Sequence, residues 1–167
     1  MKPAPFKYIR AESVDEAVEA LREYGDEAKV LAGGQSLVPL MNLRLAAPGV
    51  LVDVSRVAEL QGIRADGALA IGAGTRQLAA ERSPEVAAAA PLVAAALAHV
   101  AHPPVRARGT VGGSIAHADP AAELPACAVA LDAEVGVESA RGRRMVPAAE
   151  LFVMPLVTSL EPDELIV

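Results

Sequence analysis

The sequence predicts an α+β fold built as two lobes: a small N-terminal β-α-β lobe over residues 1–57 and a larger mixed lobe of antiparallel strands and helices over 58–167. Three observations lead there. Short apolar runs alternate with helical periodicity up to Val54, the pattern of a small parallel or mixed sheet. Beyond Leu60, two pairs of short strands flank tight turns, as antiparallel hairpins do. The 167 residues are 53% hydrophobic and 22% charged, enough apolar material for a real core.

The elements follow in order. Phe6 to Arg10 reads as a short strand. Ser13-Val14-Asp15-Glu16 fits a capping box, and Val14, Ala17, Val18 and Leu21 recur at helical spacing until Gly25 stops the run. Lys29 to Ala32 is a second strand and runs into the pair Gly33-Gly34. A helix over 35–45 follows, with Leu37, Leu40, Met41 and Leu45 on one side, and Val50 to Val54 is a third strand. In the second lobe, Gly62–Arg64 and Ala68–Ile71 join at Asp66-Gly67. Thr75 is placed to cap a helix through Glu81. Ser83-Pro84 starts another helix ending near Val100, and Pro103-Pro104 breaks the chain. A polar glycine-rich turn over 106–121 leads into a helix from about Ala122 to Leu131. Ala133–Glu138 and Arg143–Val146 form a second hairpin, Ala148–Phe152 a helical turn, and Leu165–Val167 a strand in which the sequence ends. That ending suggests a fragment or an absent C-terminal domain.

Composition excludes several functions. A net charge of −6 argues against a nucleic-acid surface. Arg141, Arg143 and Arg144 read as a solvated hairpin turn rather than an anion site. The single cysteine, Cys127, forbids an internal disulfide and a cysteine-ligated iron–sulfur cluster in this chain, and among its apolar neighbours it reads as core. The Met1–Phe6 segment has no apolar core of a signal peptide, and the most apolar run, Val86–Val100, contains Pro91 and is too short to span a bilayer. A soluble, cytoplasmic protein without a transmembrane segment is expected.

Chemistry concentrates in two glycine-containing stretches. Arg106 to Pro125 carries Gly109, Gly112 and Gly113, the hydroxyls of Thr110 and Ser114, His117, Asp119 and Glu123. Leu31 to Leu37 carries Gly33 and Gly34 between a strand and a helix. Glycine pairs let a backbone approach a ligand closely and aim its N–H groups at phosphate or another electron-rich group. Two such turns suggest one long ligand held at two points. Gly72-Ala73-Gly74 lacks the third Rossmann glycine, since position 77 is Gln77, and reads as a tight strand-to-helix turn. No Walker lysine follows either pair, and Ser36 and Ser114 lack a nucleophile elbow. His99, His102 and His117 lack metal-site spacing. Asp119 and Glu123 could act as acid and base, but at a helix start they more commonly cap it or accept from a ribose or ring N–H.

Together, Leu31-Ala-Gly-Gly-Gln-Ser-Leu37 and Arg108-Gly-Thr-Val-Gly-Gly-Ser-Ile-Ala-His-Ala-Asp-Pro-Ala-Ala-Glu-Leu-Pro125 closely resemble the FAD-binding medium subunit of molybdenum hydroxylases, the carbon monoxide dehydrogenase and xanthine dehydrogenase type. The resemblance runs from Phe6-Lys7-Tyr8 to Leu160–Val167. It implies a two-lobed FAD-binding fold of the vanillyl-alcohol-oxidase (PCMH) type, here without the family's C-terminal domain, which covers part of the flavin. It further implies that Val30, Leu31, Ala32, Gly33, Gly34, Gln35, Ser36 and Leu37 hold FAD from one side, largely through backbone N–H groups. Thr110, Val111, Gly112, Gly113 and Ser114 hold it from the other. Glu123 matches a carboxylate that contacts the cofactor and Ile166 an apolar residue beside the flavin ring; His117 and Asp119 belong to the same motif. None of these residues is itself expected to be catalytic, and no metal is expected on this chain.

By the same resemblance, substrate is oxidised at a molybdopterin centre in a large partner subunit. Electrons pass through [2Fe–2S] clusters of a small partner subunit to FAD, and from there to NAD, a quinone or oxygen. Two alternatives stand beside this reading: a stand-alone flavin-dependent reductase, and a non-enzymatic scaffold subunit that binds FAD weakly.

Overall fold

Strands β1 (Lys7–Arg10), β2 (Ala28–Leu31) and β3 (Val50–Asp53) form a wholly parallel sheet of order β1-β3-β2 in a computed structural model that describes residues 1–167. Parallel neighbours need helical crossovers, and helices α1 (Val14–Tyr24) and α2 (Leu37–Asn42) supply them. The Ser13 hydroxyl caps α1 by accepting from the Glu16 N–H at 3.1 Å. The Glu16 carboxylate reaches back one residue further than a standard box, to the Glu12 N–H at 2.8 Å. Replacing Ser13 by Ala is expected to cost about 1 kcal/mol, measured by denaturant unfolding. Ala17, Val18, Ala20 and Leu21 bury the inner face of α1 against this sheet. Helix α2 is shorter than its sequence suggests: Arg44 turns left-handed at φ 58° and leaves Leu45 74% exposed instead of in line with Leu37 and Met41.

The chain continues with the hairpin β4 (Ile63–Asp66) and β5 (Ala68–Ile71), turning at Gly67 as expected. Thr75 does not cap the next helix, α3 (Gln77–Glu81), whose N-cap is Arg76. The Thr75 hydroxyl instead accepts from the Gly62 N–H and donates to the Gly62 carbonyl, tying the turn to the start of β4. The long helix expected after Ser83 is two, α4 (Pro84–Ala89) and α5 (Pro91–Leu97), because Pro91 cannot supply the amide that continuation requires. Pro103-Pro104 opens the short helix α6 (Pro103–Arg106) rather than merely breaking the chain, since proline suits the first helical turn.

The largest departure lies at the second glycine stretch. Residues Val111–His117 form helix α7, with Thr110 as its N-cap accepting from the Gly113 N–H at 3.0 Å. Two glycines masked this helix, but the Thr110 cap and tertiary hydrogen bonds hold its first turn. Helix α8 (Glu123–Ala130) then leads into β6 (Glu134–Ser139) and β7 (Gly142–Pro147), the expected second hairpin. Helix α9 (Ala148–Leu151) precedes a small hairpin that the sequence did not reveal, β8 (Phe152–Met154) with β9 (Val157–Thr158). Strand β10 (Leu165–Ile166) pairs antiparallel with β6, giving the sheet order β10-β6-β7.

Two hydrophobic clusters divide the interior. The first draws on Ala11 to Leu60 together with Leu165; the second draws on Ala73 to Ile166. Adjacent residues of β10 therefore enter different clusters, because successive side chains of a strand point to opposite faces. No helix is long and apolar enough to cross a membrane.

Candidate functional site

A cleft of about 720 Å³ runs between the two clusters, a size typical of organic cofactor sites. The first glycine stretch forms one wall, and α7 with the Gly109–Thr110 segment forms the facing one. The two stretches touch. A Cβ built on Gly33 would lie 2.4 Å from the Arg108 carbonyl oxygen and 2.8 Å from the Gly109 Cα, so only glycine permits this approach. The Arg76 guanidinium donates to the same Arg108 carbonyl and holds it in place. Gly112 is used in the same way: its absent Cβ would fall 2.4 Å from the Ala73 Cβ, which brings α7 onto the turn after β5.

The two walls differ in what they offer a ligand. Between Ala32 and Ser36 no backbone N–H donates to a protein acceptor, and Gln35 folds its own side-chain amide onto the Gly33 carbonyl at 3.0 Å. These amides have no protein acceptor, and they lie on a left-handed bend at Gly34, φ 70°. On the opposite wall the amides of Val111, Gly112, Gly113 and Ser114 are satisfied within the protein, by the Thr75 carbonyl, the Ala73 carbonyl, the Thr110 hydroxyl and the Thr110 carbonyl. That wall presents a bare glycine surface and the half-buried Ser114 hydroxyl instead of the row of donors its sequence suggested.

The expected site residues gather here with two exceptions. Val30, Ala32, Gly33, Gly34, Gln35, Ser36 and Leu37 line one side; Thr110, Gly112, Gly113, Ser114, His117, Asp119, Glu123 and Ile166 line the rest. Leu31 is absent from the lining, and its Cδ1 would meet a Cβ at Gly34 at 3.2 Å. Val111 packs against the second hydrophobic cluster. Asp119 accepts from the Ala121 N–H at 2.9 Å, a local turn contact that leads into α8. Glu123 opens α8 and makes no hydrogen bond or ion pair with the protein, leaving its carboxylate to solvent or a ligand.

Several lining residues carried no obvious signal. Gln77 is 5% exposed, and its side-chain oxygen has no conventional hydrogen-bond donor. It lies 2.6 Å from where a Gly109 Cβ would be, so the second glycine hydrogen points at it, a weak C–H···O contact. Glu164 is buried in the wall, accepts from Arg144 Nε at 2.7 Å and Nη2 at 2.6 Å, and also takes the Glu161 N–H at 2.9 Å. The Arg144 guanidinium holds its carboxyl below the usual range, with burial opposing. Arg141 likewise pairs with Asp163 and lowers that carboxyl. Arg141, Arg143 and Arg144 are all exposed, as expected of a solvated turn, but Arg144 and Arg141 also hold carboxylates 20 and 22 residues away, beyond any local pattern.

The lining carries Asp26, Asp119, Glu123, Glu161 and Glu164 against Lys29 as its one lysine or arginine. Side-chain charge does not draw an anion in, so the free amides of Ala32–Ser36 must provide what attraction a phosphate would find. No three His, Cys, Asp or Glu side chains come together in a way that could hold a metal. Cys127 is buried, and burial pushes its thiol up, with Glu123 adding to the effect. It is a poor nucleophile.

The family model described as the FAD binding domain in molybdopterin dehydrogenase matches residues 4–167. The chain is 49% identical to the 6-hydroxypseudooxynicotine dehydrogenase complex subunit alpha of Paenarthrobacter nicotinovorans, covering 100% of this chain and 57% of that one. It is 45% identical to the carbon monoxide dehydrogenase medium chain of Hydrogenophaga pseudoflava, covering 100% and 58%. Among solved structures, carbon monoxide dehydrogenase from Hydrogenophaga pseudoflava lacking the Mo-pyranopterin moiety superposes with a TM-score of 0.97 at 46% identity, covering 100% of this chain and 58% of that one. Quinoline 2-oxidoreductase from Pseudomonas putida 86 superposes at 0.95 with 40% identity, covering 100% and 59%. The chain spans less than three fifths of the length of the relatives it matches.

Proposed function

The chain belongs to the family of FAD-binding domains of molybdopterin dehydrogenases, and we propose that it binds FAD in the cleft between its two hydrophobic clusters, as part of a molybdenum hydroxylase. The observation that carries this reading is the run of free amides from Ala32 to Ser36, directly across from Gly109 and the first turn of α7. The cleft volume and the donor set fit a dinucleotide: amides for a pyrophosphate, a glycine surface that allows close approach, and apolar Leu165 and Ile166 for a ring system.

In this reading Gly33, Gly34, Gln35 and Ser36 donate to the phosphates, and α7 supplies Gly113, the Thr110 and Ser114 hydroxyls and the shape of the opposing wall. Leu37 and Val30 flank that grip. Glu123, which has no protein partner, accepts from a ribose or ring N–H. Ile166 packs beside the ring and excludes water from it. His117 and Asp119 border the same end. The bound flavin supplies reversible two-electron or stepwise one-electron transfer.

The residues of this chain bind, orient and shield, and none is asked to transfer a proton. Residues 1–57 and 58–167 act as the two FAD-binding lobes. The electron source would be [2Fe–2S] clusters on a small partner subunit, the site of substrate oxidation a molybdopterin centre on a large one, and the acceptor NAD, a quinone or oxygen. Two of the relatives are themselves named as a complex subunit and a medium chain, which supports assembly with partners.

The test is titration of the purified chain with FAD, followed by desalting. Retention of the flavin's visible absorption, with quenched fluorescence, supports the reading; a chain that emerges colourless and leaves FAD fluorescence unchanged refutes binding by this chain and favours a scaffold role. Reduction of the bound flavin by NADH without partner subunits would favour a stand-alone reductase.

A further inference from the structure

We propose that Arg144 and Glu164 form a clasp that positions one wall of the cleft, the segment 158–166, relative to both hydrophobic clusters; the inference rests on the FAD reading above and adds the residues that set the cleft's width. The pairing register puts Arg144, Val137 and Ile166 in one row across the β7-β6-β10 sheet. Directly opposed residues of antiparallel strands point to the same face, and Glu164 is two residues before Ile166 on that face. Arg144 therefore reaches over the central strand and grips Glu164 through two nitrogens, at 2.7 and 2.6 Å. A bidentate guanidinium–carboxylate pair fixes orientation as well as distance.

Glu164 is the hub of the segment. The same carboxylate accepts the Glu161 N–H at 2.9 Å, and Arg144 also reaches the Ser159 carbonyl at 3.4 Å. Thr158, Leu160, Glu161, Pro162, Leu165 and Ile166 all line the cleft. Beyond Glu164 the chain enters both cores at once: Leu165 is 4% exposed in the first cluster and Ile166 8% exposed in the second. Beyond that, β10 is tied to β6 by only two paired residues and by the Val167 N–H to the Gly136 carbonyl. So short a strand has little pairing of its own to hold register. The clasp supplies what the ladder lacks, and Arg141 with Asp163 reinforces it from the exposed side.

The experiment uses the full chain and four variants: Arg144→Ala, Arg144→Lys, Glu164→Ala and the reversed pair Arg144→Glu/Glu164→Arg. FAD affinity and amide hydrogen exchange are measured on each, and thermal unfolding verifies that each is folded. Arg144→Ala is expected to weaken FAD at least about tenfold and to raise exchange selectively at residues 158–167. Arg144→Lys keeps the charge but loses the fork, and falls between. The reversed pair recovers part of both readouts, which a direct contact of Glu164 with the cofactor would not allow.

Unchanged affinity and exchange in Arg144→Ala overturn the clasp, as does weakened affinity with no change in exchange at 158–167 and no recovery in the reversed pair. Should Arg144→Ala fail to fold, Arg144→Lys decides on the same criteria. Should the unaltered chain fail to bind FAD, the functional reading fails separately. Exchange in the ligand-free variants then decides the clasp: selective deprotection of 158–167 sustains it as a wall-positioning device, and none overturns it.

Discussion

Gly33→Ala is expected to destabilise the fold by about 3 kcal/mol, the upper end of the usual cost of overpacking, and to reduce FAD affinity by about a hundredfold. The added methyl would sit 2.4 Å from the Arg108 carbonyl oxygen, 2.8 Å from the Gly109 Cα and 3.0 Å from the Arg108 carbonyl carbon. All three are backbone atoms, so no side chain can swing aside. The Arg108 carbonyl is also bound by Arg76, and retreat would break that bond. The 32–36 bend would have to move instead, carrying its free amides away from the ligand. Gly49→Ala is the control. The nearest atoms to its methyl would be those of Glu27, at 3.6 Å or more, and its effect should stay within about 0.5 kcal/mol. Denaturant unfolding and FAD titration measure both variants. Equal behaviour of the two would show that the walls of the cleft do not touch at Gly33.

Arg106→Met is expected to cost about 3 kcal/mol of stability and to loosen the Gly109–Thr110 wall. Arg106 is 6% exposed. Its Nε and Nη2 meet Glu81 at 2.7 and 3.3 Å, and Nη1 donates to the Val100 carbonyl at 2.7 Å. The pair locks α6 against α3, and α6 runs directly into Gly109. Methionine keeps some of the volume but leaves the Glu81 carboxylate and the Val100 carbonyl without their donor. A partly buried carboxylate stripped of its partner is costly, whereas an apolar pair in the same space need not be. The double variant Arg106→Met/Glu81→Leu should therefore recover most of the loss, and a double-mutant cycle by denaturant unfolding gives the coupling. Additive losses would mean that the ion pair contributes nothing specific.

The parts of the site that were legible in the sequence share one property: their evidence is local. Gly33-Gly34 after a strand and before a helix marks a turn suited to a close approach by a ligand; that the backbone of Arg108–Gly109 also lies against Gly33 came from the structure alone. The Ser13 cap, the turn at Gly67 and the hairpin 134–147 lie within windows of a few residues, where propensity and turn geometry act. Helix α7 was not legible, because two glycines argue against a helix and the bonds that offset them come from Thr75 and Ala73, elements away. The Thr75 hydroxyl was misplaced for the same reason: Gly62, 13 residues earlier, claims it. Leu45 follows helical spacing yet ends exposed, since a left-handed residue at Arg44 precedes it.

By itself, then, the sequence determined the β-α-β-α-β order up to Asp53, the two hairpins that follow, and most of the residues that line the cleft. Only the tertiary structure decided that the donors come from the 32–36 side, that α7 spends its own amides on the protein, and that Arg144 clasps Glu164 across a strand. The division is physical. Caps, turns and alternation arise from forces between near neighbours, which the order of residues displays, while hydrogen bonds and ion pairs between distant segments depend on which surfaces the packed core brings together.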